Sequence, residues 1–235
     1  MEKITLFCFP YAGGSAASYA KWYSLFPENI KIVPVEISGR GCRMNDPLLY
    51  RISDVVDDAY SQIKNDIKNT NYAIFGHSMG SIVAFEIANK IFDLNESGIP
   101  KHVFFSGRNA PFIRSKNIIY DLPEDEFRNE ILNIGGTSEL IFKEKSLRSV
   151  FLPILRADFE AIDTYECKNF KKLNTNISVF YSKEDKLCYK EGIEGWKTLT
   201  EKSCKFYDFK GDHFFIDRQI NSVVSTIVDI LNKEG

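Results

Sequence analysis

The sequence predicts an α/β protein: a mainly parallel sheet of about six strands, with helices on both faces and a helical insertion late in the chain. Three observations lead there. Short, near-continuous apolar runs alternate with longer segments of helical periodicity, the pattern of strands covered on both faces by crossover helices. The pentapeptide Gly76-His77-Ser78-Met79-Gly80 marks a tight turn from one such run into one such helix. The alternation lapses once, between Gly107 and Ile177, where two helical patterns stand without a convincing strand.

The first strand is "ITLFCF", Ile4 to Phe9, followed by a helix over "SAASYAKWYSLF". "IKIVPVEI", Ile30 to Ile37, is the second strand. Ile52, Val55, Val56, Ala59, Tyr60, Ile63 and Ile67 then fall on one helical face. "YAIFG", Tyr72 to Gly76, is the third strand and leads into a helix from about Ser78 to Phe92. "KHVFFSG" from Lys101, "ISVFY" from Ile177 and "CKFYDF" from Cys204 are the fourth, fifth and sixth strands. A last helix covers roughly Asp217 to Asn232. Each crossover between parallel strands is expected to be right-handed. The insertion, with helices near Pro123–Ile134 and Ser146–Tyr165 separated by "GGTSE", follows the fourth strand. Ligands bind at the carboxyl ends of parallel strands, so the insertion at about 111–168 reads as a lid within one domain spanning 1–235.

Composition narrows the function. A net charge of −2 argues against a nucleic-acid binder, which would show a basic surplus or stripe. No apolar run approaches the roughly 18 residues of a bilayer span. The start, "MEKITLFCFPYAGG", has no signal-peptide h-region, so a cytoplasmic protein is expected. Five scattered cysteines without a C-x-x-C read as reduced thiols, and with three histidines no metal site is expected.

Gly76-His77-Ser78-Met79-Gly80 fits the G-x-S-x-G elbow, in which a serine is lifted out of the sheet on a strained strand-to-helix turn. A helix N-terminus there favours developing negative charge. The plain alternative is an N-cap serine. A serine hydroxyl needs a base. His77 lies within the elbow and is expected to pack, pointing away from the Ser78 side chain. His102 opens the fourth strand, at a strand end or on the surface. His213, in "KGDHFF", alone leaves room for an acid between it and the serine, the chain order Ser, acid, His. The acid belongs at the end of the fifth strand, where "YSKED" offers Asp185, with Glu184 as the second choice. Asp212 is too local to bond Nδ1 of His213 and is expected to shape the loop. Oxyanion donors are expected at the Met79 N–H, which follows the nucleophile, and at the Ala12 N–H, in the loop "FPYAGGSA" after the first strand.

"LFCFPYAGGSA", "VEISGRGCR", "FGHSMGSIVAFE", "SGRNAP", "LPILRADF" and "GDHFF" occur in order along nearly the whole chain. Together they resemble the type II thioesterases of nonribosomal peptide and polyketide assembly lines, stand-alone α/β-hydrolases similar also to the medium-chain thioesterase of animal fatty-acid synthesis. The resemblance implies a nucleophile at Ser78, an acid at Asp185, a base at His213, oxyanion donors at Ala12 and Met79, and a helical lid. Ser38 departs from the proline frequent in "ISGRG". The implied substrate is an acyl group on the phosphopantetheine arm of an acyl or peptidyl carrier protein, with no cofactor of the enzyme's own. The implied partner is that carrier, typically acidic. Arg40, Arg43 and Arg108 are candidates to meet it or the arm's phosphate, against a plain reading as solvated surface arginines. Phe127, Ile131, Leu140, Ile141 and Phe151 are candidates to line an acyl channel, or simply lid core. A monomer is expected. A general carboxylesterase or a medium-chain fatty acyl thioesterase would use the same triad; a non-catalytic binding protein on this fold would usually have lost part of it.

Overall fold

The computed structural model describes residues 2–94, 98–114, 117–167 and 171–234. Six strands, β1 (Ile4–Phe9), β2 (Ile30–Pro34), β3 (Asn71–His77), β4 (His102–Ser106), β5 (Asn176–Tyr181) and β6 (Cys204–Asp208), form one sheet in the order β2-β1-β3-β4-β5-β6. All five pairings are parallel. Among the described residues eight α-helices accompany them: α1 (Ile52–Ile63), α2 (Met79–Leu94), α3 (Glu124–Ile134), α4 (Leu140–Lys143), α5 (Lys145–Asp163), α6 (Lys190–Glu194), α7 (Phe215–Arg218) and α8 (Ile220–Glu234).

Every residue of β1 is buried, as an apolar run covered on both faces requires. Its side chains alternate between two cores. Phe7 and Phe9 join Tyr72 and Ile74 of β3 under α1 and α2, while Leu6 and Cys8 join Ala73 and Phe75 under Tyr19, Trp22 and α8. The chain leaves β1 toward β2 and returns to the other side of β1 as β3. That reversal of strand order opens a crevice at the carboxyl ends of β1 and β3, where Phe9 pairs with Gly76.

Several boundaries differ from expectation. The stretch after β1 forms a 3₁₀ turn at Ala16–Trp22, capped by Ser15, in place of a longer helix. β2 stops at Pro34 rather than at Ile37, although Val35 N–H still donates to Cys8 O at 2.9 Å. The last helix is broken at Gln219 (φ −110°, ψ 30°) into α7 and α8. α6 and the following 3₁₀ turn Gly195–Leu199 were not signalled by periodicity; Trp196 anchors them by stacking on Phe105 at 3.9 Å between ring centroids. His102 opens β4 as expected but is buried, with Nε2 2.8 Å from Ser178 Oγ on neighbouring β5, which corrects the surface placement.

Between β4 and β5 stand α3, α4 and α5 with a small core of their own: Ile119, Phe127, Ile131, Phe142 and Leu155. The expected lid span of 111–168 includes residues 115, 116 and 168, which lie outside the described residues.

Candidate active site

Ser78 is the one non-glycine residue at positive φ (55°) among the described residues. The conformation is imposed by its surroundings. Its N–H donates to Ser106 O at 2.8 Å, and its carbonyl accepts from Ser81 N–H at 3.0 Å as α2 begins. The bracketing glycines answer to space. A Cβ on Gly76 would lie 2.0 Å from Gly80 O, and one on Gly80 would lie 2.1 Å from Phe9 O. Both contacts are with backbone and have no way to relax, so strand and helix approach this closely only with hydrogen at both positions. The Ser81 hydroxyl fastens the corner. It accepts from Ser106 N–H at 2.9 Å, and its proton faces the carbonyls of Gly76 and Ser106 at 2.8 and 2.9 Å.

Two loops at the same sheet edge bring in the other charged groups. Asp185 follows β5 and His213 follows β6, and His213 Nδ1 lies 2.8 Å from Asp185 Oδ2. The other carboxylate oxygen accepts from Leu187 N–H at 2.9 Å. Burial pushes the Asp185 carboxyl up, but the hydrogen bond and charge of His213, with donors from Leu187 and Cys188, hold it below the usual carboxylate range. Glu184 is exposed, so Asp185 is the carboxylate against His213. Asp212 turns away, accepting from Phe214 N–H and pairing with Arg218, as expected of a loop-shaping residue.

His77 packs, as expected, but against the other histidine: its ring centroid is 5.0 Å from that of His213, and its Nδ1 lies 2.9 Å from Ser106 Oγ. Tyr11, Phe214 and Phe215 enclose it. Burial, and then the neighbouring His213, push its pKa well below the ordinary histidine value. A neutral imidazole therefore backs His213.

Ser78, His213 and Ala12 line one cavity of about 40 Å³, closed over by Ile131, Ile134, Leu155 and Phe159 of the lid. Met79 is buried as the first residue of α2. A second cavity of about 320 Å³ shares Arg108, Ile134, Phe159, Ile162 and Leu187 with the first and adds Arg114, Asn117 and Lys186. The two cavities are neighbours across these shared residues. A separate cleft of about 930 Å³ runs between Tyr50–Val56 and Tyr165 and touches none of Ser78, Asp185 or His213.

Of the lid candidates, Ile131 reaches the cavity beside Ser78. Phe127 is fully buried in the lid core, edge-on to Phe159, and Ile141 packs on that core. Leu140 is 58% exposed, and Phe151 is half-buried and lines neither cavity. The solvated reading is corrected for all three arginines. Arg40 is buried against Asp158, and Arg43 is held by Asp58 and Asp46. Arg108 lines both cavities, and desolvation depresses its pKa. Ser81, Ser106 and Asp158 were missed by sequence reasoning. For Asp158 a signal was present: a carboxylate on the apolar stripe Ile154, Leu155, Ala161, Ile162 of α5.

A family model described as "Thioesterase domain" matches residues 4–231. The gramicidin S biosynthesis protein GrsT of Aneurinibacillus migulanus is 34% identical, over 91% of this chain and 83% of its own. The crystal structure of ClbQ from the colibactin NRPS/PKS pathway superposes with a TM-score of 0.92 at 34% identity, covering 99% of this chain and 98% of that one. The medium-chain S-acyl fatty acid synthase thioesterase of Rattus norvegicus is 29% identical, over 92% of this chain and 82% of its own.

Proposed function

Because this chain belongs to the thioesterase family, hydrolases of thioester bonds, we propose that it is a type II thioesterase that unloads acyl groups from the phosphopantetheine arm of carrier proteins in nonribosomal peptide or polyketide synthesis. The observation that carries the chemistry is the convergence of Ser78, His213 and Ala12 on one small cavity, with Asp185 bonded to His213 from behind. The assembly-line assignment draws its support from GrsT and ClbQ, both more similar in sequence than the fatty acid synthase thioesterase.

In this reading His213 Nε2 takes the Ser78 hydroxyl proton as Oγ attacks the thioester carbonyl. The oxyanion receives hydrogen bonds from the N–H groups of Met79 and Ala12, aided by the N-terminus of α2. On collapse the C–S bond breaks, and the imidazolium returns the proton to the departing thiolate. Water, deprotonated by the same nitrogen, then attacks the acyl-enzyme; the acid leaves and Ser78 recovers its proton. Asp185 holds Nδ1–H and so fixes the tautomer that leaves Nε2 free to act. The larger cavity, lined by Arg108, Arg114 and Lys186, suits a slender arm ending in a phosphate, and the smaller one beside Ser78 suits a short acyl group. The protein acts as a monomer in the cytoplasm. Among the described residues no helix is long and apolar enough to cross a membrane.

The test is a carrier protein loaded with a short acyl group and followed by intact-mass spectrometry, with acyl-CoA and an aryl ester in parallel. Unloading should be fast and should fall by at least about 10⁴-fold in Ser78→Ala. Rapid ester cleavage without unloading of the carrier would leave a general esterase instead.

A further inference from the structure

We propose that Asp158, on lid helix α5, is a positioning residue for the oxyanion loop: with Arg40 as its counter-ion it fixes the Ala12–Gly13 peptide, so the acyl-transfer site is complete only while α5 is docked on the sheet. The inference rests on the acyl-transfer reading above. Gly13 N–H donates to Asp158 Oδ2 at 2.7 Å. Arg40 grips the same carboxylate with both terminal nitrogens, at 2.5 and 2.7 Å, and Nη1 also reaches Gly14 O at 3.3 Å. Asp158 is 0% exposed and Arg40 2%. One turn earlier on α5, Leu155 closes off the same loop: a Cβ on Gly13 would lie 2.6 Å from Leu155 Cδ2, and Gly13 already sits at φ +75°. The lid helix therefore shapes the loop at two points, by contact and by hydrogen bond.

Stability alone gives no reason for this arrangement. A buried ion pair is commonly matched or bettered by apolar residues of similar volume, and here Arg40 Nε is buried with no partner among the described residues. What a carboxylate adds over an apolar side chain is an acceptor at a fixed point. The amide it holds belongs to the peptide directly after Ala12, so it restricts ψ of the residue whose own N–H is the second oxyanion donor. Donors stabilise a developing oxyanion only when preorganised within a few tenths of an ångström.

Two double variants separate acceptor from charge. Arg40→Met/Asp158→Asn removes the ion pair but keeps a side-chain carbonyl for Gly13 N–H; Arg40→Met/Asp158→Leu removes both. Steady-state hydrolysis of an acetyl-loaded carrier protein and of p-nitrophenyl acetate is measured alongside thermal unfolding. The Asn variant should keep most of the wild-type kcat. The Leu variant should lose about tenfold to a hundredfold in kcat on both substrates, with KM little changed, somewhat less than deleting an oxyanion donor outright. Equal kcat in the two variants, whether high or low, overturns the proposal. Should the Leu variant not fold, exchange of the Gly13 amide in the wild-type protein decides: slow exchange is expected, and exchange as fast as an exposed loop amide overturns it. A wild type that cleaves the ester through Ser78 but leaves the carrier loaded would refute the assembly-line reading while still testing Asp158 on the ester.

Discussion

The carboxyl edge of the sheet and the lid above it are built by different rules. At the edge, Ser78, Asp185 and His213 each stand within a few residues of a strand end and are 7%, 3% and 3% exposed. Hydrogen bonds to Ser106, Leu187 and each other hold them, in a corner where Gly76 and Gly80 tolerate no added atom. The lid holds a satellite core of five buried residues and leaves Ile118 and Leu140 each 58% exposed. That core is held by apolar contacts without preferred direction, and directed bonds such as Gly13 N–H to Asp158 tie the lid to the edge. The edge is determined by sterics and polar geometry, and chemistry needs that; the lid is determined by burial, which accommodates substitution. Reaction type should therefore be fixed by the first region and acyl preference tuned by the second.

The largest expected effect breaks the edge at its acid. Asp185→Asn keeps the shape but favours the wrong imidazole tautomer, and kcat on an acyl-loaded carrier should fall about 10⁴-fold. Glu184→Gln, one residue away and exposed, should leave kcat at the wild-type level. Steady-state rates of the two single variants check this, and a comparable loss in both would mean that the loop, not the carboxylate, carries the effect.

The next effect falls on the lid. Phe127→Ala empties the centre of its small core and should cost about 3 kcal/mol, the low end for a buried Phe, because a satellite cluster collapses more readily than a main core. Hydrogen exchange should accelerate in α3 and α5 while β3 and α2 keep their protection. Equal acceleration in both regions would show that lid and sheet open as one unit and would dissolve the contrast.

The same contrast decided what could be read from sequence. β1, β3, β4 and β5 are apolar runs whose burial on both faces leaves a clear pattern; β6 is a half-exposed edge strand, and the limits of all five fall within one or two residues of expectation. The elbow was legible because its constraint is local: five residues contain the whole steric argument. Chain order pointed to His213 and to an acid after β5, and loop reach favoured Asp185 over Glu184; the two chosen side chains meet at 2.8 Å. What stayed hidden depends on partners far along the chain. Arg40 and Asp158 are 118 residues apart, and neither predicts the other. Phe151 has the right chemistry and spacing for an acyl channel, yet its side of α5 does not face the cavity. His102 reads as a strand-end or surface residue until β5 is laid beside it.

The smallest expected effect tests how dry the edge is. His77 is buried behind His213, and its pKa is pushed well below the ordinary value of 6.5, first by burial and then by His213, against smaller opposing contributions from the Asp185 charge and the His213 backbone. A histidine with a lowered folded-state pKa binds its proton more readily when unfolded. It therefore takes stability away as pH falls below about 6.5, at up to about 1.4 kcal/mol per pH unit, until the folded state also protonates. Asp185, whose carboxyl is depressed, contributes stability that is lost only when pH falls below its ordinary value of 3.8, so the two windows do not overlap near pH 5 to 6. His77→Asn keeps a polar atom near the Nδ1 position for Ser106 Oγ but cannot titrate. Urea unfolding of both proteins at pH 6.5 and pH 5 should show the wild type losing up to about 2 kcal/mol more than the variant. Equal losses would mean that His77 protonates in the folded state at its ordinary pKa. Water would then reach behind His213, and the edge would be no drier than the lid.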